Sequence, residues 1–331
     1  MYFEIRSQIN PNWNGVNSLK IRLILRPMIS VRILDETAPL EAVILGTAKS
    51  MGGTPKVENS YDPKSKEHIL AGTFPREQDL IEEMEHVASV LTKYGVKVYR
   101  PENIEGLNQI FARDIAFVIQ DKLVVPCVTP ERKLESDGIQ YIIDDVSNVL
   151  LPDEHERMEG GDIMPWRDHI FIGYSCEEDF KKYKVSRTNE AAVKYIERTF
   201  KDFKVKAFEL KKSDDDPREN ALHLDCCFQP VGPDKAVLYR GGFKNNEDVD
   251  FLVDFFGEEN VFDITKEEMY EMNSNFFSIS PEVVLSDSSF TRLNDQFRSW
   301  GLLVEEVRYR EIAKMEGLLR CTTMPLRRKY D

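Results

Sequence analysis

The side chains best suited to covalent chemistry in this sequence are one cysteine and one histidine. Cys321 stands in Gly317–Arg328, GLLRCTTMPLRR, between an arginine and two threonines, with Pro325 ending the run. A lone cysteine is most often a small buried hydrophobe. Here Arg320, Arg327 and Arg328 are close in sequence, and positive charge favours thiolate over thiol. A thiolate nucleophile needs a proton-transfer partner, and the chain holds only five histidines. His86 lies in an amphipathic stretch, His68 and His155 in polar loops, and His169 at a hairpin. His223 has the strongest case. In Leu222-His223-Leu224-Asp225, read as a strand, residues two apart share a face, so His223 and Asp225 point into one pocket.

Two further carboxylates stand in marked contexts. Asp162 follows Glu159-Gly160-Gly161, and paired glycines permit a tight turn or a close backbone approach. Asp114 closes Phe111-Ala112-Arg113-Asp114, a group equally suited to an Arg–Asp structural pair. Carboxylates, a histidine and a thiolate, without a metal-ligand set, suit a planar cation. A guanidinium fits, because carboxylates hold its fork of donors bidentately and leave its central carbon fixed for attack.

The elements that must position these residues form a repeat. The apolar strand Glu41–Leu45 precedes a polar Gly46–Lys66 stretch, rich in Gly, Pro, Ser and Lys, that reads as a long mobile loop. Glu77–Tyr94 has helical apolar spacing at Leu80, Ile81, Met84, Val87, Val90 and Leu91; Gly95 ends it and Val96–Tyr99 follows as a strand. Helix then strand recurs at Asp137–Val149 with Leu150–Leu151, Thr188–Phe200 with Val205–Phe208, Glu247–Phe256 with Val261–Ile264, and Ser289–Trp300 with Val304–Val307. Each of the five units is followed by a motif strand and usually a hairpin partner. The last motif strand, at Cys321, meets the chain end; Glu41–Leu45 is the available partner. A repeated unit that closes on itself makes a ring. Asp114, Asp162, Asp225, Asn275 and Cys321, spaced 48, 63, 50 and 46 residues apart, then face its axis. The longest interval contains Lys211–Arg218, KKSDDDPR, a surface insertion by composition.

Composition sets outer limits. The 331 residues are 41% hydrophobic and 31% charged, as in a soluble globular protein, with net charge −14. That balance argues against nucleic acid and anionic membranes as partners. No apolar run is long enough to span a bilayer. The five cysteines include no C-x-x-C pair, so neither a disulfide framework nor a zinc site is indicated, and a reducing cytoplasm fits. Residues 1–27 match nothing later and read as an arm or extension, leaving residues 28–331 as one domain.

The motifs FARD, MEGGD, SRTN, HLD, the second asparagine of NSNFF, and RCTTMPL, taken in order, resemble those of the guanidino-modifying enzymes: amidinotransferases, arginine deiminases and dimethylarginine dimethylaminohydrolases. The resemblance runs from about Leu40 to Arg328. It implies the five-bladed α/β propeller (pentein) of ββαβ units. It makes Cys321 the nucleophile, His223 the general acid and base, and Asp162 and Asp225 the grip on the guanidinium. It puts Asp114, Arg113, Glu159 and Asn275 in the substrate-binding set, with Arg187 of SRTN meeting the substrate carboxylate. It requires no cofactor or metal. The motifs point to two subfamilies at once: SRTN resembles the dimethylarginine hydrolases, HLD the deiminases and glycine amidinotransferases.

The expected activity is therefore cysteine-dependent attack on arginine or a related guanidino compound through a thiouronium intermediate, with hydrolysis favoured over transfer to an amine. Gly46–Lys66 is a candidate lid. A non-catalytic propeller binding a macromolecule would have no need for Cys321, His223, Asp162 and Asp225 together. A papain-like protease would carry its cysteine early, at a helix start. Self-association is left open.

Overall fold

The computed structural model describes residues 28–330. Residues 1–27, read above as an arm or extension, lie outside the described residues. Among those described, fifteen strands form five separate three-stranded sheets. The strands are β1 (Leu40–Leu45), β2 (Lys97–Tyr99), β3 (Phe117–Ile119), β4 (Lys122–Val124) and β5 (Val149–Leu150). Next come β6 (Ile163–Trp166), β7 (His169–Tyr174), β8 (Lys204–Glu209), β9 (Phe228–Val231) and β10 (Lys235–Leu238). The last are β11 (Val261–Asp263), β12 (Phe277–Ser280), β13 (Val283–Asp287), β14 (Leu303–Val307) and β15 (Thr323–Arg328).

All five sheets share one plan. A motif strand pairs antiparallel with the next strand, and a third strand, reached through a helical segment, pairs parallel to that second one. A parallel neighbour needs a crossover, which is why the helix recurs at that point. The expected partner for the Cys321 strand is found: β15 runs antiparallel to β1, with Val43 opposite Pro325 and Leu45 opposite Thr323. First and last strands thus share a sheet.

The helices follow the periodicity. Glu77–Lys93 buries Leu80, Met84, Val87, Val90 and Leu91, while Ile81 is only partly covered. Gly95 and Gly301, both at positive φ (76° and 82°), let the chain turn out of the helices Glu77–Lys93 and Thr291–Ser299. Two readings are corrected. Of the segment expected as the helix Asp137–Val149, only Gln140–Ile143 is α-helical; its first residues close a 3-10 run that begins at Pro130 and ends at Ile139, and Val149 already belongs to β5. The expected Gly46–Lys66 loop ends early, because Asp62 caps a helix at Pro63–Leu70 by accepting from Ser65 N at 2.6 Å. Pro63 at its first position presets the helical φ.

The insertion Lys211–Arg218 is anchored rather than free: Lys212 is buried and donates to the carbonyls of Ala221 and Leu222, both at 2.8 Å. No helix among the described residues is long and apolar enough to cross a membrane.

Candidate active site

The polar motif residues all precede their strands. Asp114 lies in the turn Ala112–Ile115, Asp162 in Gly160–Asp162, Asp225 in Leu224–Cys226, and Cys321 in Leu319–Thr322. Asn275 sits in the turn just before β12. The expectation that His223 and Asp225 share one face of a strand is overturned. His223 is the extended residue leading into a 3-10 turn that holds Asp225, so the two side chains diverge. His223 meets Glu159 and Asp114, whereas Asp225 meets Arg320 and Cys321.

Hydrogen bonds link the motifs in order. Gly161 N donates to Asp114 Oδ1 (3.1 Å), Leu224 N to Asp162 Oδ1 (2.9 Å), and Ser274 Oγ to the Asp225 carbonyl (2.9 Å). Arg320 N then donates to Asn275 Oδ1 (3.0 Å), and Arg113 Nε to the Arg320 carbonyl (3.4 Å). Each bond joins one motif to the one before it, and the last returns to the first. This close approach explains the glycine pair. A Cβ on Gly160 would lie 2.0 Å from the Arg113 carbonyl oxygen, and one on Gly161 would lie 2.6 Å from His223 Nδ1.

All nine residues expected at the site, Arg113, Asp114, Glu159, Asp162, Arg187, His223, Asp225, Asn275 and Cys321, are at most 4% exposed. Buried charges must be paired or hydrogen-bonded, and they are. His223 Nε2 is 3.0 Å from Glu159 Oε2, and Nδ1 is 3.7 Å from Asp114 Oδ1. Burial alone would lower the imidazole pKa, but Asp114, Asp162 and Glu159 outweigh it and raise it to about 9. His223 is therefore an imidazolium at neutral pH. Burial disfavours the Glu159 carboxylate, yet Arg132, Arg187 and His223 hold its pKa well below the ordinary range.

Cys321 corrects the opening expectation. Burial, and after it the charges of Asp225 and Asp114, push its thiol well above the ordinary range, so the resting group is a thiol. The neighbouring arginines do not reverse this because their charges are committed elsewhere. Arg320 binds Glu36 (3.0 Å) and Asp225 (2.8 Å); Arg327 binds Glu41 (2.5 Å); Arg328 donates to main-chain carbonyls of Ala38 and Ser278. Two hydrogen bonds act the other way, one from the Leu318 backbone and one from Asn275 Nδ2, 3.1 Å from Sγ. Asn275 Oδ1 also accepts from Cys321 N at 3.1 Å, which fixes the turn.

The remaining expected residues fall into two sets. Asp114 and Glu159 form one group with His223, while Asp225 and Asn275 form another around Cys321. Both oxygens of Asp162 are taken by protein donors, Thr188 Oγ1 at 2.6 Å and Leu224 N. Arg113 is placed beside Glu36 (3.8 Å), away from His223. Arg187 is not at the surface of a helix start: it is buried, 3.9 Å from Glu159 Oε1, and bonded to Thr129 and the Tyr61 carbonyl.

Sequence reasoning missed Arg132, Glu135 and Glu36. Arg132 is bound at once by Asp114 (2.7 Å), Glu135 (2.8 Å) and Glu159 (2.9 Å). Its signal was faint, a charged run, PERKLE, with no turn or strand pattern around it. Thr188 was legible within SRTN. The triad Asp114, Glu159 and His223 has the spacing to hold a metal ion, but Arg132 already supplies a cation between its two carboxylates.

A cavity of about 690 Å³ opens next to this group, with Tyr61, Thr129, Arg157 and Arg187 in its wall. Cys321 and His223 are not in that wall; Arg187, through Glu159, links the cavity to His223.

Comparisons with known proteins place the chain among its relatives. An uncharacterized Bacillus subtilis (strain 168) protein, YkgA, is 26% identical over 244 residues, 72% of this chain and 77% of that protein. An arginine deiminase of Limosilactobacillus reuteri is 24% identical over 273 residues, 67% of this chain and 62% of that protein. The amidinotransferase SxtG from Microseira wollei superposes with a TM-score of 0.70 at 15% identity, covering 91% of this chain and 98% of that one, a likeness of fold. Residues 75–328 match the family described as N,N dimethylarginine dimethylhydrolase, eukaryotic. Since that match takes in most of the chain, including each of the five motifs, the protein belongs to this family, among the guanidino-modifying enzymes of hydrolase or amidinotransferase type.

Proposed function

We propose that the protein is a cysteine-dependent hydrolase of arginine or an Nω-substituted arginine, and that its five sheets form one five-bladed α/β propeller over residues 28–331. The observation that carries the activity is Asp114, which lies 3.7 Å from His223 Nδ1 and whose charge also acts on the Cys321 thiol, so that one buried carboxylate joins the two groups. The cyclic order of bonds between motifs supports the propeller. Five free cysteines suit a reducing cytoplasm.

A cationic substrate resolves the crowding. A guanidinium set between Asp114 and Asp225 compensates the charges that oppose the thiolate, so the thiol proton leaves for solvent as substrate binds. Sγ then bonds to the guanidinium carbon. The C–N bond to the leaving amine breaks as the His223 imidazolium gives that nitrogen its proton. The thiouronium remains on Cys321. The now neutral His223 takes a proton from water, hydroxide adds to the carbon, and the C–S bond breaks as the adduct's hydroxyl proton passes to Sγ, releasing a ureido product and restoring the thiol. Glu159 holds the imidazole's orientation through both halves and favours its return to the charged form. Asp162, with both oxygens engaged, acts as a positioning residue for Leu224 and Thr188; Asp114, whose oxygens accept from Gly161 N and Arg132, faces the cation as a charge, and the hydrogen-bonding grip on substrate passes to Asp225. Arg187 meets the substrate carboxylate.

The test is product analysis of the purified protein with arginine and with Nω,Nω-dimethylarginine, with and without amines, beside Cys321→Ala. Citrulline from wild type alone, with ammonia or dimethylamine, supports the reading. Ornithine with a new guanidino compound, formed only when an amine is present, replaces it with amidino transfer. Inert arginines and other guanidines together would return the non-catalytic reading.

A further inference from the structure

The cavity beside Arg187 is more cationic than the amino-acid tail of arginine requires. Arg157, Lys181, Lys182, Lys184 and Arg187 line it, against the carboxylates of Glu58 and Glu131, in a chain whose net charge is −14. Local charge opposite to the overall charge marks a place where an anion is concentrated. Some of these cations are already used. Lys181 bonds Glu177 at 2.6 Å, and Lys182 lies over the Tyr183 ring.

Arg157 and Lys184 are different. The Arg157 guanidinium lies 5.6 Å over the Phe180 ring, and neither it nor the Lys184 ammonium has a carboxylate partner among the described residues. Arg187 adds a second sign. It is 2% exposed, yet its Nε has no hydrogen-bond partner. A buried donor left unpaired is costly and points to a group missing from the site. Arg187 reaches His223 through Glu159 alone, in contacts of 3.9 and 3.0 Å. A substrate guanidinium at the His223 group therefore sends its tail into this cavity.

We propose that the preferred substrate is a guanidino compound whose tail carries two anionic groups, a second carboxylate or a phosphate beside the first. Arg187 takes one group, and Arg157 with Lys184 takes the other. This rests on the guanidinium chemistry proposed above and adds the tail to it. Arg157 and Lys184 set tail specificity and do not touch the reacting carbon.

The experiment compares three guanidino compounds of equal chain length, ending in one carboxylate, two carboxylates or a phosphate. KM and kcat are measured for wild type and for Arg157→Ala/Lys184→Ala. Two charge-assisted contacts lead to a KM for the dianionic tails about tenfold or more below that of the monocarboxylate. The double variant should erase that difference with kcat unchanged, and added salt should shrink it. Equal KM values, or a preference that survives in the double variant, would overturn the proposal. Inorganic phosphate and glutarate are also titrated calorimetrically into Cys321→Ala and into Cys321→Ala carrying the two alanines. If no guanidine is turned over, the catalytic reading fails alone, and this binding decides the cavity. Dianion binding lost in the triple variant supports the site; absent or unaltered binding overturns it.

Discussion

At the scale of single residues, the two groups proposed to react rest in forms opposite to those a cysteine–histidine ion pair would have. Cys321 is a thiol because burial, Asp225 and Asp114 all oppose its charge. His223 is charged because Asp114, Asp162 and Glu159 surround it. Alkylation of Cys321 by iodoacetamide, followed by mass spectrometry, should therefore be slow at neutral pH in the empty protein and should rise with alkalinity. Replacing Asn275 by alanine removes a donor to Sγ and an acceptor for Cys321 N. Losing one such bond is worth about 1–3 kcal/mol, so kcat/KM should fall on the order of tenfold to a hundredfold.

Glu159→Gln gives a pH test with a definite sign. Under the proposed mechanism wild-type turnover needs the imidazolium and should be lost as pH rises through about 9. Without the Glu159 charge the pKa drops, so the alkaline limb of the kcat profile should move to lower pH. The same group contributes to stability. Its folded pKa lies above the ordinary histidine value, so the contribution is complete below about pH 6.5 and disappears as pH rises through about 9. Urea unfolding of wild type should show a loss on the order of 3 kcal/mol across that window, and Glu159→Gln a smaller one.

At the scale of elements, the turns before the motif strands carry the site, and they tolerate little. Gly160→Ala would place Cβ 2.0 Å from the Arg113 carbonyl oxygen. The backbone must shift, at a cost of about 1–3 kcal/mol, and with it Glu159 and Asp162. A lowered melting temperature with activity reduced beyond that loss is expected. The helix Glu77–Lys93 works through its buried stripe. Leu80 is fully buried against the main core, so Leu80→Ala should cost about 2–5 kcal/mol in urea unfolding while leaving the pH profile of kcat in place. A changed profile would mean that the helix acts on the site directly.

At the scale of the whole molecule, the first and last strands of the described residues share one sheet. β15 pairs with β1, and Tyr330 Oη accepts from Leu34 N at 2.7 Å. Removing residues 323–331 takes away the antiparallel partner of β1 and the strand that follows the Cys321 turn. The loss should abolish cooperative unfolding measured by circular dichroism, whereas a modular array of independent sheets would keep most of its transition.

The sequence by itself determined the repeating units and the polar residue that each carries. Strand and helix periods depend on neighbours two and four residues away, so β1, the helix Glu77–Lys93 and the stops at Gly95 and Gly301 were legible. The spacing of Asp114, Asp162, Asp225, Asn275 and Cys321 put one of them in each unit; the fold sorts them into a group at His223 and a group at Cys321. Protonation and pairing were decided only by the tertiary structure. Arg320 adjoins Cys321 in sequence, yet its charge goes to Glu36, 284 residues away, and to Asp225. Arg132 lies in an unremarkable charged run, yet it is gripped by three buried carboxylates. Asp162 stands in the best-marked motif, yet its oxygens are spent on Thr188 and Leu224. A pKa depends on burial and on charges within a few ångströms, and those neighbours come from other repeats, which no local pattern encodes.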